Sequence, residues 1–124
     1  MIRHAADLPP ERRDNIRGGN GAGFAKTYLA NGDMHGVAFV TEMTLEPGTD
    51  IGLHRHHRDE ELYVVPQGHG TGLLDGERFA AGPGDAWLCK AGHEHGVVAS
   101  AAEPLRFLAV LSAPFDATSS SAGR

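Results

Sequence analysis

Eight histidines occur in the 124 residues, six of them from His54 to His95. Imidazole and carboxylate are the borderline donors that hold divalent transition ions, so their spacing decides whether a site can form. His54 and His56 are two apart. On a strand both rings leave the same face, with Cα atoms ~6.5–7 Å apart, and can tilt towards one ion. Glu61 opens the next apolar stretch after the polar link His57-Arg58-Asp59-Glu60, so its carboxylate can approach from a neighbouring strand. His95 lies far along the chain and reaches the same ion only if a sheet curls back on itself. A closed barrel provides that closure. His93 shares parity with His95 and could replace it or support it. His57 points away from its neighbour if the strand continues. His4, His35 and His69 stand alone and read as surface or otherwise satisfied polar residues.

Other side chains near these ligands carry chemistry of their own. Tyr63 lies two after Glu61 and shares its inward face. A phenol beside a metal can act as general acid or base, or it can simply pack against and orient a ligand. Trp87 reads as core filling and Cys89 as an inert buried thiol. Arg55, between the two histidines, should face the opposite way.

The elements that must position these groups are strands. Val37–Leu45 alternates Val37, Phe39, Thr41, Met43, Leu45 against Ala38, Val40, Glu42, Thr44, the period of a strand with two differently used faces. Further strands are expected at Phe24–Leu29, Ile51–His56, Glu61–Val65, Gly68–Leu74, Glu77–Ala80, Trp87–Cys89, His95–Ala99 and Leu105–Leu111. Turns are marked by Asn31-Gly32-Asp33, Glu46-Pro47-Gly48-Thr49, Asp75-Gly76 and Gly82-Pro83-Gly84-Asp85. No ten-residue stretch shows helical periodicity. Residues 1–23 are polar and turn-rich, with a short helical turn expected at Leu8-Pro9-Pro10-Glu11 and a mobile loop over Arg17–Gly23. The glycines there are no phosphate loop, because Phe24 and Ala25 separate Gly23 from Lys26-Thr27. Three segments are expected: an arm at 1–23, one barrel at 24–113 and a Ser/Ala-rich disordered tail at 114–124.

Composition agrees with one small β domain. Seventeen glycines suit many tight turns. The net charge is −5, and Arg12, Arg13 and Arg17 sit among Glu11 and Asp14, so no positive field favours nucleic acid or an anionic membrane. A single cysteine excludes an intrachain disulfide and fits a reducing compartment. The first residues lack the apolar core of a secretory signal, and no apolar run approaches a membrane span. A cytoplasmic location is expected.

Gly48-(x5)-His54-x-His56-(x4)-Glu61-(x6)-Gly68 resembles the first signature of the cupin superfamily at every fixed position. Gly84-(x5)-Lys90-x-Gly92-(x2)-His95 is similar to the second, with Lys90 where that pattern has proline and Ala99 where it has asparagine. Neither departure touches a ligand. The resemblance implies an all-β, single-domain double-stranded β-helix (jelly-roll) barrel with one divalent ion on His54, His56, Glu61 and His95. The donor set suits Fe, Mn, Ni, Co, Cu or Zn, with Fe or Mn preferred because six-coordinate ions keep positions open for substrate. The expected function is that of a metal-dependent enzyme on a small oxygen-rich metabolite, as dioxygenase, decarboxylase, lyase, isomerase or cyclase, with Tyr63 the catalytic candidate. The alternative is a non-catalytic ligand-binding or sensor module. Metal-free sugar epimerases of this architecture are disfavoured, since the glutamate and both motif histidines are intact. Outward apolar residues such as Val40, Leu62 and Val64 suggest a homodimer.

Overall fold

A computed structural model describes residues 1–115 of the 124. Ten strands follow in chain order: β1 (Glu11–Asp14), β2 (Ala22–Leu29), β3 (Val37–Leu45), β4 (Asp50–Arg55), β5 (Glu61–Gln67), β6 (Gly70–Leu74), β7 (Glu77–Ala81), β8 (Ala86–Cys89), β9 (Glu94–Ala99) and β10 (Leu105–Ser112). The only helical pieces among the described residues are 3-10 turns at Ala5–Asp7 and Ile16–Gly18. All strand pairs are antiparallel. They form a six-stranded sheet, β1-β2-β3-β10-β5-β8, and a four-stranded sheet, β4-β9-β6-β7. This is the jelly-roll barrel that the sequence implies.

Period-two patterning sets which side chains enter the space between the sheets. From β3 come Thr41, Met43 and Leu45, from β5 Glu61, Tyr63 and Val65, and from β10 Leu105, Phe107 and Ala109, all buried. Register then sorts them by depth. Leu45 pairs with Leu105 and Met43 with Phe107, whereas Tyr63 pairs with Ala109 and Glu61 with Leu111. One end of the barrel is therefore filled with hydrocarbon and the other receives the polar groups.

The N-terminal segment departs from the sequence reading in detail. No helical turn forms at Leu8–Glu11. Two consecutive prolines lack amide donors and push the preceding residue out of the α region, so the 3-10 turn ends at Asp7 and Glu11 opens β1. β1 adds to the edge of the large sheet, with Arg12 opposite Phe24 and Arg13 opposite Gly23. Ala22 and Gly23, expected in a loop, already belong to β2. The rest of that stretch is a turn pinned to β4: Asp50 N–H donates to Asn20 O at 3.0 Å, and Asn20 N–H to Asp50 Oδ1 at 3.0 Å. Of the tail expected at 114–124, Phe115 exchanges hydrogen bonds with Arg58, and residues 116–124 lie outside the described residues.

Candidate metal centre

His54 lies near the end of β4 and is the direct cross-strand partner of His95 on β9. His56 follows one residue past β4, where its amide donates to His93 O at 3.0 Å. Glu61 is the first residue of β5, in the opposite sheet. The sequence reading had Glu61 approach from a neighbouring strand and His95 from a distance. The structure reverses this: His95 is the neighbour, and Glu61 faces the imidazoles across the barrel.

One ligand atom from each of the four lies within 4.8 Å of all the others. His95 Nε2 stands 3.0 Å from His54 Nε2, 3.1 Å from His56 Nε2 and 3.1 Å from Glu61 Oε1. Glu61 Oε1 is 3.3 Å from His56 Nε2 and 4.0 Å from His54 Nε2. His56, Glu61 and His95 are buried, and His54 is nearly so.

Hydrogen bonding assigns the free nitrogens. His54 Nδ1–H donates to Gly52 O at 2.8 Å, and His56 Nδ1–H to Asp59 Oδ1 at 2.7 Å. Both neutral rings thus present a bare Nε2 to the same point. His95 Nδ1 is buried without a partner among the described residues. Its ring is instead fixed by stacking on Tyr63, with centroids 4.6 Å apart and planes 21° from parallel. Three imidazole nitrogens and a carboxylate converging within 4.8 Å of one another form a donor set that fits a divalent metal.

The electrostatics agree. Burial pushes the Glu61 carboxyl up, but the three facing imidazoles of His54, His56 and His95 outweigh it and hold the group well below the usual range. The facing Glu61 carboxylate pushes His56 up, against burial, with Asp59 adding to the rise. Burial pulls His95 down and so favours the neutral, metal-binding form. Burial and the adjacent Glu61 push Tyr63 far up, keeping its phenol protonated.

His93 does not join the cluster. It is half exposed and binds Asp75 through Nδ1, because the turn before β9 sends it outside while His95 points in. His57, His4, His35 and His69 are exposed, and His69 is held by Glu103. Arg55 faces outward, with its guanidinium on Gly92 O and near Glu94. Trp87 packs edge-on against Tyr63 and Phe79 within the core. Cys89 is fully buried, and burial pushes its thiol up to about 11, so it is inert.

Three contributors escaped the sequence reading. Asp59 was read as part of a polar link, although a carboxylate three residues after a ligand histidine was a usable signal. Arg13 and Arg17 were read only as basic residues offset by Glu11 and Asp14, yet both line a cavity of about 420 Å³ onto which His54, Glu61 and Tyr63 also open. No local pattern marks them.

A family model described as a cupin domain matches residues 41–111, which span both signatures and all four clustered side chains. The chain is a cupin. This cupin is 31% identical over 112 residues to the oxalate-binding protein of Thermotoga maritima, covering 90% of this chain and 93% of that one. It is 41% identical over 73 residues to the β-alanine degradation protein BauB of Pseudomonas aeruginosa, covering 56% of this cupin and 75% of the relative. The crystal structure of a predicted oxalate decarboxylase from Thermotoga maritima superimposes with a TM-score of 0.86 at 30% identity, covering 90% and 98% of the two chains.

Proposed function

We propose that this cupin is a metal-dependent enzyme acting on a small, oxygen-rich organic acid. The observation that carries the reading is a cluster of three imidazoles and a carboxylate that is buried yet opens through His54 and Glu61 onto a cavity of ligand size. His54, His56, Glu61 and His95 are the proposed ligands. The names of the Thermotoga relatives, which concern oxalate, support a carboxylate as the ligand class.

The four side chains would hold one divalent ion between them. Iron(II) or manganese(II) is the preferred occupant. Such an ion would supply Lewis-acid stabilisation of negative charge on a bound carboxylate or enolate.

The chain's own residues do the rest. Gly52 O and Asp59 fix two imidazole tautomers, Tyr63 stacks His95 into place, and the hydrocarbon end of the barrel closes off water. The protonated Tyr63 phenol at the cavity wall serves as proton donor. Tyr63→Phe should lower kcat by about 10²–10⁴-fold while metal content stays the same. Unchanged turnover would reduce Tyr63 to a packing role.

The deciding experiment is metal analysis of untagged protein with oxygen uptake followed across a screen of organic acids. Turnover abolished by His56→Ala, with the circular dichroism spectrum retained, supports the enzyme. Oxygen consumption would select a dioxygenase over the redox-neutral classes. The printed name of one relative, a binding protein, favours a second reading as a ligand-binding module, for which tight binding without turnover is expected. We also assign a cytoplasmic homodimer. No helix among the described residues is long and apolar enough to cross a membrane, and the single buried thiol fits a reducing compartment.

A further inference from the structure

The cavity faced by His54 and Glu61 has a second charged feature. Arg13 on β1 and Arg17 in the 3-10 turn line it, with Phe39, Met43 and Ile51 supplying apolar walls. Arg13 is engaged by Glu11 at 3.2 Å. Arg3, Arg12, Arg55 and Arg106 likewise each come near a carboxylate, whereas Arg17, like Arg58 and Arg78, has no carboxylate partner among the described residues, and of these three it alone lines the cavity.

The backbone holds Arg17 in a costly conformation at this place. Its φ of 54° and ψ of 35° lie in the left-handed region, where an unbranched L residue is uncommon. The turn is fixed there by the β4 strand. A methyl group at Gly52 would lie 2.2 Å from Arg17 O, and one at Gly19 2.2 Å from Asp50 O, so two glycines permit the close approach. Gly52 O in turn accepts from His54. The segment carrying Arg17 is therefore locked to the same strand that carries a proposed ligand. Strain retained at a cavity wall points to function.

We propose that Arg17 anchors the distal carboxylate of an organic acid whose other end lies at the His54–Glu61 cluster, with an apolar body along Phe39, Met43 and Ile51. The assignment of the near end rests on the metal-centre reading, but the anchor itself does not. A cavity of about 420 Å³ has room for about fourteen water molecules, far more than a two-carbon diacid fills. The ligand class is thus a dicarboxylate with a hydrocarbon or aromatic middle. The planar guanidinium gives the carboxylate a bidentate partner.

The test measures calorimetric binding of succinate, adipate and suberate, each against its matching monocarboxylate butyrate, hexanoate or octanoate. It uses manganese-loaded and chelator-treated full-length protein, with metal content assayed throughout. The manganese-loaded protein should prefer at least one dicarboxylate by about tenfold over its monocarboxylate. Arg17→Gln should erase that preference with metal content and melting temperature unchanged. Arg17→Lys should restore part of it, and the charge-matched surface change Arg78→Gln should leave it intact. A preference that survives Arg17→Gln, or no dicarboxylate binding at roughly 10 mM, overturns the anchor. Failure of the protein to hold manganese, iron, nickel, cobalt, copper or zinc overturns the metal reading alone, and an Arg17-dependent preference in the chelator-treated protein would then still support the anchor.

Discussion

At the scale of single residues, the site depends on groups that never touch its centre. Asp59 accepts the Nδ1–H of His56 and so fixes which nitrogen is bare. Asp59→Ala should weaken metal affinity by about 10–100-fold with the fold intact, as read by competition with a chromogenic chelator. Protonation works in the same direction at both ends of the cluster. Glu61 has a depressed pKa, so its contribution holds above its ordinary titration range and is lost only as pH falls through its folded value. The raised pKa of His56 means that metal-free protein keeps a proton on that ring to higher pH, where it competes with the ion. Metal content after dialysis should therefore fall as pH drops through about 6–7. Undiminished metal at about pH 5 would contradict the histidine assignment. The ligand types and offsets were legible in the sequence. The exclusion of His93 was not, because its strand parity matches that of His95 and only the turn before β9 separates them.

Among the elements, β4 has the most demanding surroundings. It pairs with β9 on one side, placing His54 opposite His95, and receives the Ile16–Gly18 turn on its barrel-mouth side. Gly52→Ala would drive a methyl into the Arg17 carbonyl, a backbone contact that no rotamer relieves. We expect a loss of about 1–3 kcal/mol, seen as a lower melting temperature, together with weaker metal retention as the shifted backbone displaces the residue-52 carbonyl that orients His54. The strands themselves were readable from period-two patterning, and the bounds expected for Val37–Leu45 coincide with β3. β1 was not readable. Glu-Arg-Arg-Asp has no apolar alternation, and it forms a strand because the edge of β2 offers unpaired backbone groups.

For the whole molecule, two sheets close around a cluster whose donors fit a divalent cation. A saturating metal should then stabilise the fold, and chelator treatment should lower the melting temperature by roughly 5–15 °C in a scanning fluorimetry experiment. The outer face of the large sheet carries Leu29, Val40, Val110, Leu62 and Leu88 as successive cross-strand partners, and Leu88 is 43% exposed. A dimeric mass by light scattering is expected, with Leu88→Lys shifting it towards monomer; a monomeric wild type at micromolar concentration would count against this assembly. Local chemistry in the sequence determined the class of fold, the four side chains of the cluster and the family, since strand alternation, turn glycines and motif offsets act over a few residues each. Only the tertiary structure decided that His95 is His54's neighbour while Glu61 comes from the facing sheet, and that Arg17 turns into the cavity. Those relations depend on how strands far apart in the chain pair and stack, and pairing across long loops leaves no periodic mark on the residues it brings together.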